Sequence, residues 1–218
     1  MSPPALLPVG QRAVLVELAS LAEVLAAAAW VRRAVAGRQP GFTEVLDVVP
    51  AARTVLVTLG ERGDLERLRT GLRGLDLGET AGTPPPPAAI LEAATVEIAV
   101  HYDGPDLATV ARQTGLAEDE VVRAHTETPW QAAFGGFAPG FTYLVGGDPR
   151  LQVPRRAEPR TAVPAGAVGL AGEFSAIYPR SSPGGWQLIG HTDVRVWDLT
   201  REPAALLEPG VTVRFLPA

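Results

Sequence analysis

The apolar and polar positions along the chain mark short strands and helices in its first part and many short apolar runs towards its end. Residues 13–17 form a short β-like apolar run, and Ser20 then offers a helix N-cap with Glu23 three residues on, a capping-box pattern. A helix over 21–36 follows, with Gly37 as its stop. Its alanine-rich middle favours helix but gives a weak apolar stripe, because small residues run all round. Residues 43–49 and 54–59 read as strands joined by the turn Pro50-Ala51-Ala52-Arg53, and Asp64 reads as the cap of a second helix over 65–72. The resulting order, β-α-β-β-α, is most of a split β-α-β unit, a two-layer α/β sandwich. A closing strand is expected within 89–100.

The segment 78–87 ends in four consecutive prolines, which favour an extended, semi-rigid spacer. Residues 95–101 alternate as a strand. Asp103-Gly104-Pro105-Asp106 reads as a turn into a helix over 107–113 ended by Gly115, and 116–126 reads as another short helix. Residues 130–134 lead into a region of short apolar runs (167–171, 174–178, 186–189, 194–198 and 211–216). Their spacing of about ten residues, broken by Gly and Pro, predicts a compact β-barrel or sandwich. The expected organisation is a domain over 1–82, a proline-rich linker over 83–93 and a second domain over 94–218.

Eleven of the 23 glycines fall between Phe134 and Thr192. With the prolines and aromatics of the same stretch they predict tight turns between short strands, a shaped surface rather than a flexible linker.

Composition narrows the function. The chain has 218 residues, is 46% hydrophobic and carries a formal net charge of −5. It can build a substantial core, and it lacks the basic excess of a general nucleic-acid binder. It has no cysteine, which removes disulfides, thiolate metal sites and cysteine nucleophiles. Its three histidines, His101, His125 and His191, have no metal-ligand spacing. With no signal-like start and no long apolar run, a cytoplasmic location is expected, with no membrane span.

Several residues invite chemistry. Arg155, Arg156 and Arg160 either grip a carboxylate or phosphate through paired hydrogen bonds or lie solvated, paired with Asp148 and Glu158. The turn from Gly136 to Tyr143 either exposes amides to an anion or simply needs its Gly and Pro. Trp186 and Gln187 after Gly184-Gly185 either line a pocket or form core beyond a hairpin turn. His125 and His191 are the groups suited to proton transfer near neutral pH. His125, late in its helix, also suits the helix C-terminal dipole. There is no nucleophile elbow at Ser181 or Ser182, and no phosphate-binding Gly-Lys-Ser/Thr loop.

The densest motifs are Gly136-Phe137-Ala138-Pro139-Gly140-Phe141 with Tyr143-Leu144, then Pro154-Arg155-Arg156 with Pro159-Arg160-Thr161, and Val163-Pro164-Ala165-Gly166 with Val168-Gly169 and Ala171-Gly172. They end in Ile177-Tyr178-Pro179 and Ser182-Pro183-Gly184-Gly185-Trp186-Gln187-Leu188-Ile189-Gly190. In these the chain resembles the family of 5-oxoprolinase B-type subunits, also called allophanate hydrolase subunit 1, one branch of which inhibits a sporulation histidine kinase. The chain departs from the family pattern at Gln11, at His191 and at Glu173-Phe174-Ser175.

The resemblance implies an α+β protein: an N-terminal ferredoxin-like α/β sandwich followed by a cyclophilin-like β-barrel. It implies a hydrolase acting on a cyclic amide, one component of an ATP-dependent complex that opens 5-oxoproline to L-glutamate. The partners would be a larger C-type carboxyltransferase-like subunit and an A-type subunit, with ATP used in the complex and neither metal nor biotin attached to this chain. The alternatives it leaves are inhibition of a sensor histidine kinase and a carboxyltransferase half-domain acting on a urea- or allophanate-like amide. The expected site has His125 as its catalytic residue. Its expected substrate-binding residues are Phe137, Pro139, Gly140, Phe141, Tyr143, Arg156, Arg160, Tyr178, Gly184, Gly185, Trp186 and Gln187.

Overall fold

A computed structural model describes residues 4–75 and 94–218. The chain divides into two compact units, Met1–Pro86 and Pro87–Ala218. The expected proline linker lies outside the described residues.

Among its described residues, the first unit has a four-stranded antiparallel sheet and two helices. Its strands are β1 (Ala5–Val9), β2 (Ala13–Glu17), β3 (Val45–Pro50) and β4 (Thr54–Leu59), in the order β1-β2-β4-β3. The helices are α1 (Leu21–Ala36) and α2 (Leu65–Arg73). Both start where their caps predict. The Ser20 hydroxyl accepts from the Glu23 amide, and the Asp64 carboxylate accepts from the amides of Glu66 and Arg67. Helix α1 buries Val24, Ala27, Ala28, Val31 and Ala34. The alanines that blunt its apolar stripe are the residues that let it approach closely. β2, β4 and β3 with α1 make the split β-α-β layout. The fourth strand, expected within 89–100, comes instead from the N-terminal β1, which pairs with β2.

The second unit is a seven-stranded sheet curled into a barrel. Its strands are β5 (Thr95–Val100), β6 (Trp130–Gly135), β7 (Thr142–Val145), β9 (Ala167–Ala171), β10 (Phe174–Ile177), β12 (Gln187–His191) and β13 (Thr212–Pro217). Their order is β12-β9-β10-β7-β6-β13-β5. β5, the expected closing strand of the first unit, runs parallel to β13 here. The two ends of the sheet meet where His101 and His191 exchange main-chain hydrogen bonds of 2.9 Å in both directions. Two helices, α3 (Leu107–Thr114) and α4 (Glu118–Glu127), pack on this unit. A two-stranded ribbon of β8 (Arg160–Val163) and β11 (Ser182–Gly184) completes it.

Side-chain alternation divides the barrel into two cores. Ile98, Val100, Trp130, Leu144, Val168, Leu170, Ile177, Ile189 and Phe215 belong to the inner one. Phe141, Val163, Ala167, Ala171, Tyr178, Trp186 and Leu188 belong to the outer one. β9 is buried on both faces, which is why Ala-Val-Gly-Leu-Ala reads as an unbroken apolar run.

Candidate functional site

The outer face of the barrel gathers most of the expected residues. Phe141 packs edge-on against Tyr178, Trp186 and Tyr143, with centroid distances of 5.2, 5.4 and 5.3 Å. Phe134 stacks on Tyr143 at 4.6 Å. Phe141, Tyr178 and Trp186 are buried in this cluster, so they shape the face rather than offer themselves to a ligand. Burial pushes the Tyr178 hydroxyl above its ordinary pKa and keeps it neutral. A Cβ on Gly184 would overlap the Tyr178 hydroxyl, and one on Gly169 would press on Trp186. Gln187 is also buried. Its Nε2 donates to the Pro154 carbonyl at 3.2 Å, while its Oε1 has no partner among the described residues.

Phe137 behaves differently. It is 61% exposed, and its φ of 66° lies in the left-handed region that disfavours a bulky residue. Its ring lies edge-on to Phe141 at 5.2 Å and to Tyr178 at 6.5 Å, and Phe137 lines a cleft of about 470 Å3. Pro139, Gly140, Trp197, Leu207 and Pro209 also line that cleft. An exposed aromatic held in a strained backbone is a feature that binding surfaces retain.

The arginines are held by a residue whose sequence context reads only as part of a turn. Asp106, whose side chain is 4% exposed, accepts from Arg156 Nη1 at 2.9 Å and from Arg160 Nη2 at 2.8 Å. Its other oxygen accepts from the Leu188 amide at 2.7 Å. Burial alone would raise the Asp106 pKa. The Arg160 hydrogen bond, the Leu188 amide and the two guanidinium charges outweigh that and hold it below the usual carboxylate range. Neither partner expected from sequence takes part: Asp148 pairs with Arg150 at 2.6 Å, and Glu158 offers Arg156 only its carbonyl. Arg160 also reaches the Trp186 carbonyl, and the Arg156 amide donates to the Gly185 carbonyl. The glycine turn, the tryptophan and the arginines are therefore one connected structure.

The expected catalytic role of His125 does not survive its placement. Its side chain is fully buried against Trp130 and Phe215 of the inner core. Nδ1 meets the Tyr102 hydroxyl at 2.7 Å, Nε2 meets Ser175 Oγ at 2.9 Å, and the ring stacks on Phe215 at 4.2 Å. Desolvation lowers its pKa to about 3. It is a neutral packing residue with both nitrogens occupied. His191 instead lies at the barrel seam, on the same outer face as Ala167, its partner in β9. It stacks on His101 at 5.0 Å, and its Nδ1 meets Asp103 at 2.8 Å.

Among the described residues no group of three or more His, Asp or Glu is arranged to hold a metal ion. All 19 positions that could be lysine or arginine are arginine, so the chain has no lysine for a phosphate loop or a Schiff base. The arginine pair suits one anionic group and does not make a nucleotide triphosphate cradle. No helix among the described residues is long and apolar enough to cross a membrane.

A barrel with this motif-rich outer face, joined in one chain to a four-stranded α/β unit, defines the class. The chain belongs to the family described as carboxyltransferase domain, subdomain C and D, whose profile matches residues 4–207. It is similar to the 5-oxoprolinase B subunit of Escherichia coli O157:H7, with 49% identity over 129 residues, covering 58% of this chain and 59% of that protein. It is also similar to the 5-oxoprolinase B subunit of Bacillus subtilis (strain 168), with 44% identity over 124 residues, covering 56% and 52%. The matches thus span little more than half the length of these relatives.

Among solved structures, TTHA0988 matches at 36% identity and a TM-score of 0.73, over 95% of this chain and 40% of that one. PH0987 from Pyrococcus horikoshii matches at 31% and 0.57, over 98% and 97%. The Kluyveromyces lactis urea amidolyase matches at 17% and 0.72, over 100% of this chain and 16% of that one, a likeness of fold alone.

Proposed function

We propose that this chain is the B-type component of an ATP-dependent 5-oxoprolinase complex, which adds water across the lactam of 5-oxoproline and breaks the C–N bond to give L-glutamate. It works in a hetero-oligomer with a larger C-type carboxyltransferase-like subunit and an A-type subunit. The observation that carries this reading is the Asp106-held pair Arg156 and Arg160 beside the aromatic face. Two fixed guanidiniums suit the carboxylate of 5-oxoproline. Sequence likeness to two 5-oxoprolinase B subunits supports the same reading.

Within this proposal the roles divide. Arg156 and Arg160 bind and orient the substrate carboxylate. Phe137, Pro139 and Gly140 present an apolar cleft to the adjoining subunit or to the lactam ring. Phe141, Tyr143, Tyr178, Gly184, Gly185, Trp186 and Gln187 hold that surface in shape. Proton transfer and ATP chemistry reside on the partners, because His125 is sealed in the core and the arginine pair does not fit a nucleotide. No feature of the described residues favours histidine-kinase inhibition or carboxyl transfer to a urea-like amide over this reading.

Coexpression with candidate A- and C-type subunits tests it. The expected result is ATP-dependent release of glutamate from 5-oxoproline that disappears when this chain is omitted. Glutamate release that does not depend on this chain, where an authentic B-type protein restores activity, would overturn it.

A further inference from the structure

We propose that Asp106 is a positioning residue: it fixes Arg156 and Arg160 as a two-guanidinium clamp for a small carboxylate. The inference rests on the functional reading above and deepens it, since nothing in the sequence motifs points to Asp106.

Three observations carry it. First, Asp106 sits at the N-cap of α3, where an aspartate ordinarily accepts from its own helix's first-turn amides. It makes no such bond. Its carboxylate is committed instead to residues 50, 54 and 82 positions away in sequence. Second, the main chain of Asp106 is itself locked, its amide donating to the Leu188 carbonyl at 2.9 Å. The carboxylate is therefore a post pinned against β12 through Leu188 rather than a mobile counter-ion. Third, the charges do not cancel. One carboxylate faces two guanidiniums, whose side chains are 34% and 21% exposed.

Each guanidinium has five N–H groups. Arg156 places two on protein acceptors, Asp106 and the Glu158 carbonyl, and Arg160 places two, Asp106 and the Trp186 carbonyl. Among the described residues this is a partly buried cluster with surplus positive charge and free donors, which an oxyanion matches. A carboxylate and a phosphate share that chemistry. The carboxylate is the assignment here, because the pair is partly enclosed and presents one surplus charge.

The test is binding to the 218-residue chain, followed by calorimetry and by the side-chain Nε–H NMR signals of arginine. The probes are 5-oxoproline, acetate and inorganic phosphate, at constant ionic strength in chloride. Wild type is expected to bind 5-oxoproline saturably, with shifts confined to two arginine signals. Asp106→Asn is expected to weaken binding at least tenfold. That sign is diagnostic. If Asp106 merely neutralised the arginines, its removal would leave more positive charge and binding would tighten, and this result would overturn the proposal.

Should Asp106→Asn fail to fold, Arg156→Lys and Arg160→Lys serve instead. Each keeps the charge but loses the fork, and each is expected to lose tenfold. Unchanged affinity in both would overturn the clamp. Arg150→Ala, whose guanidinium pairs with Asp148 in the wild type, is expected to leave binding unchanged. Tighter binding of phosphate than of either carboxylate would overturn the ligand class, and no carboxylate binding by wild type would overturn the clamp itself. Binding of acetate without 5-oxoproline would keep the clamp and remove the 5-oxoprolinase reading. Binding of 5-oxoproline that is unchanged in Asp106→Asn would do the reverse.

Discussion

His101 and His191 join the two ends of the seven-stranded sheet, each main-chain amide donating to the other residue's carbonyl at 2.9 Å. The seam depends on the absence of side chains around it. A Cβ on Gly190 would overlap the His101 carbonyl, and one on Gly104 would overlap the Ile189–Gly190 peptide. These obstructions are backbone and cannot rotate away. Gly190→Ala and Gly104→Ala are each expected to cost about 3 kcal/mol, the upper end for overpacking, read as a lower urea midpoint. His191→Ala leaves the main-chain bonds in place and removes an exposed pairing with Asp103 and the ring stack on His101, so its midpoint is expected to fall far less than those of the glycine variants.

Burial of His125 makes stability depend on pH. Its pKa falls from 6.5 to about 3 on folding because the charged ring would be desolvated. Below pH 6.5 the unfolded chain takes up a proton at this position that the native chain refuses. Stability is therefore complete above the unfolded value and is lost as pH falls towards the folded one. Each such proton contributes about 1.4 kcal/mol per pH unit. Urea unfolding at intervals between about pH 6 and 4 is expected to show a shallower slope for His125→Gln than for wild type, by about that amount. Equal slopes would mean that the native ring titrates freely.

The left-handed backbone of Phe137 gives a reversal of the usual glycine rule. At ordinary helix or strand positions alanine is the more stabilising replacement. At φ 66° a Cβ costs about 1 kcal/mol, so Phe137→Gly is expected to be more stable than Phe137→Ala by roughly that margin. Both variants remove the exposed ring, and both are expected to lower activity of the assembled complex. A Phe137→Ala variant at least as stable as Phe137→Gly would show that the loop relaxes and stores no strain.

Local signals make much of this fold legible in the sequence. Ser20 and Asp64 announce α1 and α2 because a cap is a short-range hydrogen bond between neighbours. The short apolar runs after residue 160 announce a barrel for the same reason, since alternation is a property of each strand alone. β1 gives no such signal, because Ala-Leu-Leu-Pro-Val is a largely exposed edge strand with no alternation. β5 reads as a strand but not as a member of the second unit, because its partner β13 lies more than a hundred residues on. The same distance problem hides Asp106. Asp-Gly-Pro-Asp is a sound turn signal, and nothing within it tells which carboxylate will meet arginines 50 and 54 residues later. His125 misleads for a different reason. A histidine's chemistry depends on whether it faces water, and the helix pattern around it, Val121, Ala124 and His125, already marks its buried face.

In the proposed function Arg156 and Arg160 hold the substrate carboxylate. The direct measurement is ATP-dependent glutamate formation from 5-oxoproline by this chain assembled with its candidate partner subunits, wild type against Arg156→Ala/Arg160→Ala. Wild type is expected to turn over. The double variant is expected to lose about 100-fold or more, with the complex still assembled by size-exclusion chromatography, on the order of 3 kcal/mol of transition-state binding. Full turnover with both guanidiniums removed would contradict the proposed role of the pair.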